Sequence, residues 1–152
     1  MNTRIPVQVQ VLVYRQMDDG IRVLGLRRTE KWGGFWQPVT GGTWEGESLE
    51  ETVVREVREE TGIERPLRLF GLDYVYTFAL PERYRPYYAP DVEIITEHSY
   101  AYETDIEDIV LSNEHAEHRW LMPGEAMKIY EFPEYNESVR LLMERLDGDS
   151  RR

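Results

Sequence analysis

No cysteine occurs among the 152 residues. A disulfide scaffold, a thiolate metal site and a cysteine nucleophile are therefore excluded, and the default compartment is the cytoplasm. No apolar run approaches the roughly 20 residues that a bilayer-spanning helix requires. The opening Met1-Asn2-Thr3-Arg4-Ile5 passes straight into alternating residues without the apolar core of a signal peptide, so no cleaved leader is expected. Positive charge is scarce: 18 basic residues face 29 acidic ones, a formal net charge of −11. So acidic a chain repels a phosphate backbone, which disfavours a nucleic-acid binder. Whether the same repulsion excludes a polyphosphate substrate depends on where the acid sits.

What is present is apolar material. Hydrophobic residues make up 41% and aromatics 12% of the chain, too much for disorder and enough for one core at this length. Val7, Val9, Val11 and Val13 alternate with Gln8, Gln10 and Leu12, a period of two that predicts a strand. Asp18-Asp19-Gly20 signals a turn, and Ile21 to Leu26 reads as the returning strand of a hairpin. Residues 29–35 read as a loop, and Trp36 to Thr40 as a short strand ending at Gly41-Gly42.

The clearest helix spans 48–61. Leu49, Val53 and Val57 recur every four residues, Ser48 with Glu51 forms a capping-box pattern, and Gly62 sits at the expected stop. Residues 66–80 and 92–102 read as strands, separated by a long ordered loop over 81–91 that holds three prolines and three tyrosines. A short strand over 118–122, a helix opening near Pro123 and a final amphipathic helix over 134–146 follow. Strands on both sides of a central helix predict a mixed α+β sandwich. One domain is expected over 1–147, with a frayed tail over 148–152.

The chemistry gathers between Gly41 and Ile63. Glu56, Glu59 and Glu60 fall at i, i+3 and i+4, so three carboxylates share one helical face. Alone they repel one another, while the opposite Leu49-Val53-Val57 stripe prevents the helix from turning them away. Mg²⁺ takes a few carboxylates together with water and substrate phosphate, and would convert that repulsion into a binding site. Glu47, just before the helix, is within reach of the cluster. Arg55 is placed to hold carboxylates through bidentate hydrogen bonds. Gly41 and Gly42 are expected to let the backbone turn sharply ahead of the helix and approach a ligand closely.

The full pattern is Gly41, five residues, Glu47, seven residues, Arg55-Glu56-Val57, one residue, Glu59-Glu60, one residue, Gly62-Ile63. It resembles the signature box of the Nudix hydrolases at every specified position, and a chance match is on the order of 10⁻⁹ per starting residue at average composition. The resemblance implies the Nudix fold, a central mixed β-sheet sandwiched between helices, with the box as a loop–helix–loop. It implies hydrolysis of a nucleoside diphosphate linked to another group, with Mg²⁺ or Mn²⁺ as cofactor. It also assigns Gly41, Glu56, Glu59 and Glu60 to the metal, Glu47 as a further acidic partner, and Arg55 as an orienting residue.

Further pieces narrow the branch. Phe35-Trp36-Gln37-Pro38-Val39-Thr40 precedes the box; Tyr88-Ala89-Pro90-Asp91-Val92, Thr96-Glu97, Glu114-His115 and Trp120-Leu121 follow it. They resemble the Nudix branch that cleaves dihydroneopterin triphosphate during bacterial folate biosynthesis. That implies a small-molecule pterin or nucleoside polyphosphate as partner, with neither nucleic acid nor membrane. Canonical or oxidised nucleoside triphosphates rank next as substrates, then ADP-ribose and diadenosine polyphosphates. A non-catalytic nucleotide-sensing domain is the rival from another class, and the intact box speaks against it.

Outside the box, Glu114 is either a surface acid or a metal ligand and base. Trp36 and Gln37 either line a ring pocket or pack in the core, and Thr40 and Tyr88 are candidate substrate contacts. Of Arg27 and Arg28, adjacent on a strand, only one can face a phosphate, and Arg28 is the choice. His115 and His118 read as ordinary, partly exposed histidines. Tyr84, Tyr87 and Tyr88 brace the proline loop, touch substrate or form a homodimer contact.

Overall fold

In the computed structural model, which describes residues 4–150, the elements run β1 (Arg4–Met17), β2 (Gly20–Arg28), β3 (Trp36–Gln37), β4 (Val39–Trp44), α1 (Leu49–Thr61), β5 (Arg68–Ala79), β6 (Ile94–Glu103), β7 (His115–Leu121), α2 (Pro123–Ile129) and α3 (Pro133–Ser150). Short 3₁₀ turns interrupt the loops at Glu30–Trp32 and Glu82–Tyr87. Among the described residues, no helix is long and apolar enough to cross a membrane.

The hydrophobic alternation of β1 makes it the hub of a seven-stranded mixed sheet. Its first part pairs antiparallel with β4, its last residues pair antiparallel with β2, and Val7 to Tyr14 lie parallel to β6. β5 completes one edge, while β3 and β7 both pair with β2. Because side chains alternate across a strand, β1 feeds two cores. Val9, Val11 and Val13 pack with Val53 and Val57 of α1. Leu12 and Tyr14 pack with Ala126 of α2 and with Tyr135, Val139 and Leu142 of α3. The result is a mixed sheet flanked by helices, as expected from the order of elements.

Several boundaries differ from the sequence reading, each for a physical reason. Gly41 and Gly42 lie inside β4, paired with Val9 and Gln8, and do not form the sharp turn. That turn falls at Gly46, whose φ of 85° favours glycine. The last strand begins at His115 rather than 118, because its first residues pair with Arg27 and Arg28. α3 continues through residues 147–150, where fraying was expected, and its final turn is tied to β5 by an Arg68–Asp149 ion pair at 2.8 Å. Residues 151 and 152 of the expected tail lie outside the described residues.

Candidate active site

α1 is set by its ends. Ser48 accepts from the Glu51 amide while Glu51 accepts from the Ser48 amide, and Gly62 closes the helix with a φ of 80°. Val53 and Val57 are fully buried, which fixes the rotation of the helix and brings Glu56, Glu59 and Glu60 to the rim of a cleft of about 330 Å³. Gly41 of β4 passes so close to Glu56 that a Cβ there would stand 1.9 Å from the Glu56 carboxyl carbon. The glycine is thus required for close approach between strand and helix, not for a turn.

Arg55 organises the acids. Its Nε donates to Glu47 Oε2 at 2.7 Å, one Nη to Glu56 Oε1 at 2.7 Å, and the other to the Gly42 carbonyl at 2.7 Å. A longer contact reaches Glu59 at 3.3 Å. Glu47 also accepts from the Trp44 amide and the Thr52 hydroxyl. The Arg55 hydrogen bond holds the Glu47 carboxyl down to about 2, against its partial burial. Glu47 and Arg55 do not line the cleft. They form a charged bracket behind it.

Glu56 lies at 5% exposure. Burial pushes its carboxyl up to about 8; Arg55 pulls it down, and the neighbouring charges of Glu59 and Glu60 add to the rise. Glu60 is equally buried but behaves in the opposite way. Burial raises it, yet His115 and Ser112 outweigh burial and hold it below the usual carboxylate range. His115 Nδ1 is 2.8 Å from Glu60 Oε2, and Ser112 Oγ donates to the same oxygen at 2.7 Å.

The sequence candidates divide clearly. Gly41, Glu56, Glu59, Glu60, Glu114, Arg28, Gln37, Thr40 and Tyr88 all line the one cleft. Arg27 instead pairs with Glu117 at 2.7 Å, so Arg28 is the inward member of that pair. Arg28 Nε donates to Gln37 Oε1 at 3.0 Å, and Gln37 is itself buried. Trp36 does not line the cleft; it packs on the α2–α3 core under the guanidinium of Arg119. Tyr84 stacks on Trp32 and, like Tyr88, lines the cleft, whereas Tyr87 is exposed beneath Arg4.

Three groups were not legible as site residues. His115, expected to be partly exposed, is buried against Glu60 and Gln37. The capacity of Ser112 to reach Glu60 depends on a loop path with no local pattern. Glu97, at 2% exposure, lies on the cleft with Gln8 and Tyr76; the sequence offers it only within the Thr96-Glu97 piece of the branch resemblance, which gives it no role.

The donor set is all oxygen and anionic, which suits a hard divalent cation. Among the described residues, no three histidine, aspartate or glutamate side chains are already gathered closely enough to hold one. Arg55 spans Glu47, Glu56 and Glu59, while Glu60 is engaged by His115 and Ser112. The buried Glu56 carboxylate, crowded by two like charges and facing a strand with no side chain at Gly41, is the part that a cation would relieve.

The NUDIX domain model matches residues 5–142. The chain is 34% identical over 119 residues to the dihydroneopterin triphosphate diphosphatase of Escherichia coli K12, covering 76% of this chain and 77% of that protein. It is 33% identical over 133 residues to a Myxococcus xanthus octanoyltransferase, covering 87% of this chain but 35% of that protein, so it spans only about a third of that relative's length. The solved structure of the E. coli dihydroneopterin triphosphate pyrophosphohydrolase superposes with a TM-score of 0.75 at 28% identity, covering 92% of this chain and 96% of that one.

Proposed function

The chain belongs to the Nudix family of hydrolases that act on phosphoanhydrides, and from that premise we propose that it is a divalent-metal-dependent pyrophosphohydrolase that cleaves dihydroneopterin triphosphate to the monophosphate and pyrophosphate. One observation carries this reading. Glu56, Glu59, Glu60, Glu114 and Arg28 line one cleft, in a chain related to a diphosphatase of that substrate.

The metal would be Mg²⁺ or Mn²⁺, and Glu56, Glu59, Glu60 and Glu114, with Gly41 beside them, would hold it. When bound, such an ion neutralises charge on the phosphate oxygens and helps place the attacking water. The protein supplies the rest. Arg55 and Glu47 fix the box carboxylates from behind, and His115 with Ser112 keeps Glu60 ionised. Arg28, oriented by Gln37, meets the phosphate chain. A carboxylate oxygen of Glu59 or Glu114 takes the proton from water as it attacks phosphorus in line with the departing phosphate. Thr40 and Tyr88, on the cleft wall, contact the substrate. The enzyme works as one domain in the cytoplasm, in folate biosynthesis, on a small molecule rather than a nucleic acid or a membrane.

A panel of dihydroneopterin triphosphate, common and oxidised nucleoside triphosphates, ADP-ribose and diadenosine polyphosphates, each with Mg²⁺, tests the assignment. Pyrophosphate and orthophosphate are scored separately. Pyrophosphate from the pterin as the fastest reaction supports the proposal; fast turnover of another member with none from the pterin replaces the substrate. The variant Glu59→Gln is expected to fold normally and lose turnover by about 100-fold or more, and near-normal turnover would remove Glu59 from the chemistry.

A further inference from the structure

The cleft has a second, chemically different end. Parallel pairing sets Gln8 of β1 opposite Glu97 of β6, and antiparallel pairing sets Glu97 opposite Tyr76 of β5. The three side chains form a row across the sheet. Gln8 Nε2 donates to one carboxylate oxygen of Glu97, and the Tyr76 hydroxyl donates to the other. The next pair along the same face, Gln10 and Ser99, is sealed by Ser138 of α3, whose hydroxyl donates to Gln10 at 2.6 Å. Gln8, Tyr76 and Glu97 are not sealed; they line the cleft.

Among the described residues, Glu97 is therefore a buried carboxylate without a cationic partner. Burial pushes it up to about 7; Gln8 lowers it only partly, and Glu134 at the start of α3 adds a like charge. Its two oxygens accept one hydrogen bond each from the protein, which leaves each with acceptor capacity. Two parallel acceptors match a ligand that carries two adjacent N–H donors. The walls nearby suit a flat ring: Phe132 lies edge-on to Phe35 and to Tyr135, each with centroids 5.5 Å apart, and all three line the cleft. Gly42 of β4 also pairs with Gln8, so two strand spacings, about 10 Å, separate the strand beside Glu56 from the strand that carries Glu97.

We propose that Glu97, held by Gln8 and Tyr76, reads the heterocycle of the substrate by accepting from a ring N–H and the adjacent exocyclic amine, and so selects the 2-amino-4-oxo edge shared by pterins and guanine. Adenine presents an acceptor where this edge presents its ring N–H and is rejected by the carboxylate. Hypoxanthine keeps the ring N–H but lacks the amine and loses one of the two bonds. The inference rests on the pyrophosphohydrolase reading for the placement of the phosphates, but its ring-binding half is tested without turnover.

The experiment uses the full chain and its Glu97→Gln and Glu97→Ala variants. Neopterin, guanosine, inosine and adenosine, which carry no phosphate, are titrated in the absence of metal; KM and kcat are measured separately for dihydroneopterin triphosphate with Mg²⁺. Neopterin and guanosine should bind the native chain at least tenfold more tightly than inosine and adenosine, and both variants should lose that preference. Glu97→Gln should raise KM by about tenfold while kcat changes much less. The glutamine keeps the shape and removes a buried charge, so folding is retained, and melting curves check it. Variants with unchanged nucleoside preference and KM overturn the assignment, as does a native chain that binds adenosine as well as guanosine or binds none of the four. Turnover without a Glu97 effect rejects this inference and leaves the hydrolase reading standing. Glu97-dependent binding without turnover does the reverse.

Discussion

Gly41 shows how much can depend on one missing atom. Glu56 occupies the volume in which a β-carbon would lie, and Glu56 is buried, so it has little room to retreat. Gly41→Ala is expected to displace the carboxylate and reduce turnover by about 100-fold, the scale of loss for a misplaced catalytic group. Gly42→Ala is the control. Its Cβ would meet the flexible Arg4 side chain at 3.1 Å, and steady-state kinetics should show a loss below tenfold. Glu97 gives a prediction in pH. Its folded carboxyl titrates near 7, above its unfolded value, so it destabilises the fold as pH rises from the ordinary glutamate range through 7. The groups that face it are Gln8, Tyr76 and, from α3, Glu134 and Tyr135, none of them a cation. Melting in chelator should therefore show that Glu97→Gln raises Tm at pH 8 and has little effect at pH 4. An equal shift at both values would contradict a buried, uncompensated charge. The Thr96-Glu97 resemblance gave this residue no role, because a single glutamate in a strand looks like any solvent-facing acid. Its burial and its place on the cleft wall show which face it occupies.

At the scale of elements, the box helix was the most legible part of the chain. Its start, apolar stripe and stop are all local signals, and α1 spans Leu49–Thr61 with both halves of the capping box formed. Ser48→Ala should cost about 1 kcal/mol, read as a lower denaturant midpoint with unchanged slope. No change in midpoint would mean that tertiary packing alone sets the helix start. Strand pairing was far less legible. β1 reads as one alternating run, yet it changes antiparallel partner along its length and carries a parallel neighbour throughout the middle. Periodicity gives the faces of a strand, not its neighbours. The end of α3 was missed because Asp147, Gly148, Asp149 and Ser150 are poor helix formers, and the Arg68–Asp149 pair that ties its last turn to β5 is 81 residues apart in sequence. His115 was misjudged for a related reason. Its burial comes from pairing β7 with β2, which brings it beside Gln37 and Glu60.

For the whole molecule, the net charge of −11 is not spread evenly. Eight acids and two bases fall within residues 41–64, more than half of the excess in 24 positions. The fold brings four of the chain's carboxylates, those of Glu56, Glu59, Glu60 and Glu114, to the wall of one cleft, which Glu97, Glu134 and Arg28 also line. Acidity that should repel a polyphosphate is thus placed where a bound cation reverses its sign. The same molecule without metal should bind the triphosphate poorly. The direct test is pyrophosphate release from dihydroneopterin triphosphate as Mg²⁺ is titrated into chelator-stripped protein. A metal-dependent pyrophosphohydrolase should show no release without metal, saturable recovery with Mg²⁺ or Mn²⁺, and pyrophosphate rather than orthophosphate as product. Release that is unchanged by chelation, or no release at saturating metal, would contradict that assignment.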